Sequence, residues 1–209
     1  GMNRDPTVKD AYGMSSQDDV KRLYRHWAHS YDSGFGDGQG YQLPRAVAQA
    51  FLSAGGVGPV LDVGAGTGLV AEHLARQGVG PIDALDVSEE MLGVARMKGL
   101  YRDLIAADVT APLPSVAGEY RGVISAGTFT MGHVGPEGLL PLLDVAASGA
   151  IFVISVNAAH YEAAGFGKQM QTHEPQIKGL TLRDVRIYDD RADEAHRNDM
   201  ARLMVFRKV

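Results

Sequence analysis

The chain has 209 residues, of which 45% are hydrophobic and 22% are charged, a composition typical of a folded globular domain and not of a disordered chain. It contains no cysteine, which excludes disulfide bonds, thiolate metal ligands, a cysteine nucleophile and cysteine-bound iron–sulfur clusters. The net charge of -5 disfavours a nucleic-acid partner, and since no apolar run approaches the ~20 residues of a membrane span, we expect a cytoplasmic protein without a membrane partner.

The first part of the chain, residues 1–55, is predicted to form a helical cap or lid. Apolar side chains recur there at helical spacing in two segments, which predicts two amphipathic helices. The first set is Val20, Leu23, Tyr24, Trp27 and Tyr31, and the second is Leu43, Val47, Ala50 and Phe51. The glycine-rich residues 33–40 between them are expected to be a mobile loop. Residues 56–209 are assigned to the core, and cap and core together to a single domain.

From Gly58 onward, short apolar strands alternate with amphipathic helices. Strands are predicted at residues 59–63, 81–86, 104–106, 122–126 and 151–156. Helices are predicted at residues 69–78, at residues 88–99 and from about Pro141 onward. Ser88 is the predicted N-cap of the second helix. This alternation is typical of a doubly wound parallel sheet with right-handed crossovers.

The end of the chain has a different pattern. Residues 180–188 and 200–209 alternate apolar and polar side chains, and the polar residues 189–199 join the two segments. Such alternation predicts an antiparallel hairpin on the edge of the sheet. The predicted fold class is therefore α/β, with a mostly parallel, seven-stranded, doubly wound sheet that ends in an antiparallel hairpin.

A glycine-rich turn, residues 64–68, directly joins the first strand of the alternation to its first helix. Glycines there permit a tight turn and let a ligand lie against the backbone, while the helix N-terminus offers free N–H groups. The spacing is G-x-G-x-G, with Leu69 where the nicotinamide fingerprint has its third glycine, and no Lys-Ser or Lys-Thr pair of a P-loop follows. The turn is predicted to bind a cofactor, with a purely structural turn as the alternative.

Two aspartates follow the next two strands. Asp86 closes the second strand, where a carboxylate can accept both ribose hydroxyls of a nucleoside. Asp108 follows the third strand, where it can accept the exocyclic amine of adenine while Val109 packs against the ring. Asp108 is equally well interpreted as an ordinary loop or cap residue. Both positions lie at carboxyl ends of parallel strands, where open α/β sheets bind ligands.

Four segments resemble the class I S-adenosylmethionine-dependent methyltransferases of the broad type 11 kind. They are residues 60–68, 85–92 and 107–109 and the strand before residues 127–129, within a resemblance that covers about residues 20–209 and includes the terminal hairpin. The resemblance implies a Rossmann-like fold, S-adenosylmethionine as the cofactor and S-adenosylhomocysteine as the product. More narrowly, residues 127–133 are similar to small methyltransferases akin to the Williams–Beuren-region protein.

The same resemblance implies which part of the cofactor each matching residue faces. At the methionine part it places Asp62 and the backbone of Gly64, Ala65, Gly66, Thr67 and Gly68. At the adenosine part it places Asp86 on the ribose, Asp108 on the adenine amine, and Val87 and Met91, together with Val109, on the adenine ring. Gly127, at the end of the fourth strand, is included among the cofactor-facing residues.

An N-terminal segment, residues 24–32, is similar to the W-A-x-x-Y-D entry motif of this family. Tyr31 is therefore a candidate cofactor contact, because the tyrosine of the motif reaches over the methionine end in relatives. Trp27 is interpreted either as a wall of the pocket or, as we favour, as an anchor of an amphipathic helix.

The sulfonium of this cofactor is already activated, so the protein mainly aligns the acceptor and excludes water. A general base is needed only for an acceptor that is protonated at neutral pH, and His133, after the fourth strand, is the candidate. A structural histidine is an equally weighted alternative there. Asn157, His160 and Tyr161, after the fifth strand, are further pocket candidates, although ordinary loop roles are favoured for them.

Missing motifs narrow the acceptor. After the fourth strand the chain reads Ser125-Ala126-Gly127-Thr128 in place of the Asp/Asn-Pro-Pro-aromatic motif of many methyltransferases that act on nucleobase amines. The histidines show no metal-ligand spacing, so no metal site is predicted. The sequence therefore predicts methyl transfer to a small molecule. The alternatives are a non-catalytic module that binds the cofactor and, less favoured, an NAD(P)-binding oxidoreductase.

Overall fold

A seven-stranded sheet lies at the centre of the protein in a computed structural model that describes residues 40–111, 113, 120–130, 134–192 and 194–209. The strands are β1 (Val60–Val63), β2 (Ile82–Asp86), β3 (Asp103–Ala106), β4 (Tyr120–Phe129), β5 (Ala146–Asn157), β6 (Ile177–Arg186) and β7 (Met200–Lys208). Their order is β3-β2-β1-β4-β5-β7-β6. Neighbours from β3 to β5 are parallel, whereas β7 is antiparallel to β5 and β6. The predicted Rossmann-like fold class is confirmed.

Helices cover both faces of this sheet. Within the described residues they are α1 (Leu43–Ser53), α2 (Leu69–Arg76), α3 (Glu89–Met97), α4 (Leu139–Val145), α5 (Ala158–Ala163) and α6 (Phe166–Thr172). Alternate residues of β1 enter different core clusters, since side chains of a strand point to opposite faces: Val60 packs in the cluster of α1 and α2, and Leu61 in that of α4 and α6. None of the described helices is long and apolar enough to cross a membrane.

Of the two predicted cap helices, only the second falls within the described residues. It is α1, whose buried face includes Leu43, Val47 and Phe51 and packs into the core cluster that also contains Val60. Gly122 of β4 makes room for Phe51, because a Cβ atom there would overlap the phenyl ring. The helix predicted from Val20 to Tyr31 and all but Gly40 of the predicted loop lie outside the described residues. The division at residue 55 stays a prediction.

The structure differs from the predicted strand boundaries chiefly in β4 and β5. Both strands begin before the predicted apolar runs, and Tyr120 pairs with Ala146. The next paired residues are Gly122 and Ile151, so the register shifts between the two pairs. Gly149, with a φ of 84°, lies in this irregularity. Apolar periodicity did not reveal the extension because the added residues of β5 include exposed ones.

Candidate functional site

A cleft opens at the carboxyl ends of β1, β2, β3 and β4, with about 310 Å³ of empty space that is open to solvent. The chain reaches it from four separate strand ends, because parallel strands bring their carboxyl ends to one edge of the sheet. The lining residues are Val63, Gly64, Leu85, Asp86, Val87, Ala107, Asp108, Val109, Thr128 and Val134. Five of the residues predicted to bind a cofactor are among them: Gly64, Asp86, Val87, Asp108 and Val109.

The glycine turn after β1 is tight because its three glycines have left-handed backbone conformations. The φ angles of Gly64, Gly66 and Gly68 are 67°, 58° and 98°. The amide of Gly64 donates to the carbonyl of Leu85 at 2.7 Å, which ties the turn to the end of β2. A Cβ atom at Gly64 would overlap Thr128 Oγ1. The structure therefore requires glycine at position 64, beside the cleft.

Asp86 holds the glycine turn and faces the cleft at the same time. Its Oδ2 accepts from the Gly66 amide at 2.9 Å, and its Oδ1 accepts from the Ser88 amide at 2.8 Å. Burial raises the pKa of Asp86 to about 6, against the lowering effect of these backbone hydrogen bonds. A carboxylate oxygen accepts more than one hydrogen bond, so Asp86 can still accept from ligand hydroxyls.

Asp62 lies deeper, at 1% exposure, and is not among the residues that line the cleft. The hydroxyl of Tyr101 donates to Asp62 Oδ2 at 2.6 Å. Burial raises the pKa of Asp62 to about 7, opposed by the Tyr101 hydrogen bond and assisted by the charge of Asp86. Two buried carboxyl groups therefore flank the glycine turn, one on β1 and one on β2.

Ser88 fixes the start of α3 next to the site. As predicted, Ser88 is the N-cap of α3, and its Oγ accepts from the Met91 amide at 3.1 Å. Met91 is buried, and its methyl group would lie 3.2 Å from a Cβ atom at Gly66. Met91 therefore packs against the glycine turn and does not line the cleft.

Asp108 has features of both of its interpretations. Its Oδ1 accepts from the backbone amide of Thr110 at 2.9 Å and from the hydroxyl of the same residue at 2.7 Å, as a turn-forming aspartate does. It also lines the cleft next to Val109. The local turn thus holds the carboxylate at the cleft, and the two interpretations are compatible.

The remaining predicted residues lie apart from the lining or outside the described residues. Ala65, Gly66, Thr67 and Gly68 belong to the glycine turn without lining the cleft. Gly127 lies within β4, where a Cβ atom would be 3.5 Å from the Tyr41 hydroxyl. Tyr31 and His133 fall outside the described residues.

The residues after β5 have identifiable structural contacts. Asn157 is the N-cap of α5, and its Oδ1 accepts from the His160 amide at 3.1 Å. His160 Nε2 donates to the carbonyl of Val134 at 2.7 Å. Tyr161 stacks on Phe166 at 5.7 Å between ring centroids. Only His160 is connected to the cleft by these contacts, through Val134.

The residues of the site that sequence reasoning missed include Tyr101, Thr128 and Val134. Tyr101 follows α3 in a connecting segment, where no periodicity or motif distinguishes it. Thr128 stood within a segment that matched the family, and its position next to the predicted Gly127 was the available signal. Among the described residues, no group of three or more His, Asp or Glu side chains is arranged to hold a metal ion.

Comparison with known proteins finds methyltransferases that are similar to this chain. Residues 60–148 match the family model described as a methyltransferase domain. Human methyltransferase-like protein 27 is 31% identical over 153 residues, which are 71% of this chain and 62% of that protein. The ribosomal protein L11 methyltransferase of Geobacter metallireducens is 30% identical over 95 residues, 45% of this chain and 32% of its own length.

A further relative is the ubiquinone biosynthesis O-methyltransferase of Xylella fastidiosa strain M23, 35% identical over 120 residues, with 48% of each chain covered. The chain spans less than two thirds of the length of each of these relatives. Among solved structures, the N-methyltransferase NodS from Bradyrhizobium japonicum WM9 in complex with S-adenosyl-L-homocysteine has a TM-score of 0.64 at 14% identity. The superposed residues cover 90% of this chain and 97% of the NodS chain, which shows that the two share a fold.

Proposed function

We infer from the methyltransferase domain at residues 60–148 that the chain belongs to the class I S-adenosylmethionine-dependent methyltransferases, and we propose that it methylates a small molecule. One observation supports the activity above all others. A turn of three left-handed glycines, held by Asp86, adjoins a cleft that Asp86 and Asp108 line at successive strand ends. The fold shared with a structure that contains S-adenosyl-L-homocysteine supports the same proposal.

The residues of the cleft fit a nucleoside that carries an amino-acid side arm. Gly64 lines the cleft and has no side chain, so a ligand can approach its bare backbone there. In the proposed complex Asp86 accepts from the ribose hydroxyls, Asp108 accepts from the adenine amine, and Val87 and Val109 pack against the ring. The glycine turn and Asp62 face the amino-acid end. S-adenosylmethionine supplies an activated methyl group when bound, and the chain orients it and excludes water.

Calorimetry tests the cofactor assignment. Asp86→Ala should weaken S-adenosylmethionine binding by about 1.5–3 kcal/mol, because hydrogen bonds to a charged group are lost. Asp103→Ala is the matched control: Asp103 is exposed and begins β3, whereas Asp86 ends β2, its neighbour. We expect the control to bind like the wild type. A wild-type affinity in Asp86→Ala, with both variants folded by thermal melting, would contradict the ribose assignment.

The small-molecule acceptor is supported by the absence of the nucleobase-amine motif in β4 and by the net charge of -5. One relative is named for ubiquinone biosynthesis, which favours a small molecule, and another for a ribosomal protein, which does not. Release of S-adenosylhomocysteine is the measurement, with phenols, amines, thiols, carboxylic acids, ribosomal proteins and RNA as acceptors. Turnover with protein or RNA alone would overturn this part of the proposal. Cofactor binding without any turnover would favour a non-catalytic module.

His133 is the proposed general base for an acceptor that must lose a proton. With such an acceptor, His133→Ala should lower turnover by roughly 10²–10⁴-fold, the range of general-base catalysis, and leave the Kd of S-adenosylmethionine unchanged. His173→Ala is the control, since His173 contacts Gln169 of α6 and has no link to the cleft. Turnover at the wild-type rate would leave His133 with no part in proton transfer.

A further inference from the structure

Tyr101 joins two parts of the site that are far apart in the chain. It lies between α3 and β3, and its hydroxyl donates to Asp62 Oδ2 on β1 at 2.6 Å, across 39 positions of sequence. The edge of its ring faces the glycine turn, because a Cβ atom at Gly68 would be 3.3 Å from Tyr101 Cε2. Tyr101 therefore contacts both the Asp62 carboxyl group and the glycine turn.

We propose that Tyr101 is a positioning residue: its hydrogen bond fixes the Asp62 carboxylate beside the glycine turn and so strengthens binding of the amino-acid end of the cofactor. The inference rests on the proposed function, which places that end at Asp62. The chemistry is that of a carboxylate facing the primary ammonium group of the ligand. Tyr101 itself is not among the residues that line the cleft.

The electrostatic surroundings explain why such a hydrogen bond matters. Asp62 is buried next to a second carboxylate, Asp86, and both effects favour its neutral form. Among the described residues, the charge of Glu72 of α2 also acts on Tyr101, and Glu72 forms an ion pair of 2.9 Å with Lys98, which follows α3. The Tyr101 hydroxyl is the contact that favours the ionised form. Without it, Asp62 becomes protonated at higher pH and attracts an ammonium group less.

The structure offers a closely matched control for this hydrogen bond. Tyr120 begins β4, and its hydroxyl donates to Oδ2 of another buried aspartate, Asp83, at 2.7 Å. Asp83 lies in the first half of β2, three positions before Asp86, and Arg102 also binds it. Tyr101→Phe and Tyr120→Phe thus each remove one hydroxyl from a buried Tyr–Asp pair. Only the first pair adjoins the glycine turn.

The test compares ligands with and without the amino-acid end. At pH 7, Tyr101→Phe should raise the Kd of S-adenosylmethionine and S-adenosylhomocysteine about tenfold, as expected for a lost hydrogen bond to a charged group. It should leave the Kd of 5′-methylthioadenosine, which lacks that end, unchanged. Between pH 8 and pH 6, affinity for S-adenosylhomocysteine should fall, and the fall should begin at higher pH in Tyr101→Phe. Tyr120→Phe should bind all three ligands like the wild type.

Asp62→Asn provides a second variant should Tyr101→Phe fail to fold. It should lose affinity for the same two ligands and lose nothing further when Tyr101→Phe is added. Between pH 6 and 8 its affinity for them should vary no more than its affinity for 5′-methylthioadenosine does, because Asp86, whose pKa burial raises to about 6, still titrates in this variant. An equal loss for all three ligands in Tyr101→Phe, or Kd values within twofold of the wild type, would overturn the inference alone. Wild-type protein that binds none of the three ligands would overturn the proposed function and the inference with it.

Discussion

The buried carboxyl groups of Asp62 and Asp86 each destabilise the fold when they ionise. Burial raises the pKa of Asp62 to about 7 and that of Asp86 to about 6, from 3.8 in both cases. The folded chain therefore binds these protons more tightly than the unfolded chain does. Stability from this source is fully present below pH 4 and decreases as the pH rises through 6 and 7. Ionisation of either carboxyl group is unfavourable for the unliganded fold.

Asp62→Asn should accordingly stabilise the unliganded protein at pH 8 by about 1–3 kcal/mol, because a buried charge is replaced by a neutral side chain of the same shape. The gain should be smaller at pH 5, because it falls towards zero as the pH approaches 3.8, where Asp62 of the unfolded chain is protonated as well. Denaturant unfolding at the two pH values measures the difference. His73, whose pKa burial lowers, titrates in both proteins and cancels in the comparison. A pH-independent difference would show that Asp62 is not the titrating group.

At the scale of elements, His160 connects the start of α5 to the segment after β4. Its ring donates to the Val134 carbonyl and lies edge-on to Phe166, with 5.3 Å between centroids. Val134 lines the cleft, so a helix on one side of the sheet helps to hold a wall of the site. The role of His160 is therefore structural support of the cleft, not contact with it.

His160→Phe should cost about 1–3 kcal/mol of unfolding free energy, since the Val134 carbonyl loses its donor while the ring volume is retained. It should also raise the Kd of S-adenosylmethionine severalfold through the loosened wall. His173→Phe is the control: it removes a contact with Gln169 at the end of α6 and should change either quantity little. Loss of stability without any change in Kd would show that His160 stabilises the core but does not support the cleft.

The elements differ in how far the sequence predicts them. The glycine turn, the N-cap at Ser88 and the aspartates at strand ends were predictable because each depends on residues close together in the chain. The bulge at Gly149 was not, since pairing with β4 and not apolar periodicity fixes it. The bonds of Tyr101 to Asp62 and of His160 to Val134 join positions 39 and 26 residues apart, for which a single sequence holds no signal.

At the scale of the molecule, the carboxyl and amino ends of the parallel strands have different functions. The carboxyl ends of the parallel strands hold the cleft, whereas Arg102 and Tyr120 bind Asp83 nearer the amino ends and connect β2 with the residues that begin β3 and β4. The Arg102–Asp83 contact is bidentate, with distances of 3.0 and 2.8 Å, which fixes its geometry. Substitutions in this cluster should affect folding and not ligand choice.

The position of β7 between β5 and β6 has a consequence for synthesis on the ribosome. The strand β6 emerges before β7, and within the described residues it pairs with that strand alone. Until β7 has left the exit tunnel, none of the other described strands pairs with the outer edge of β5 or with β6. The nascent protein is therefore most exposed to strand-to-strand association in that interval.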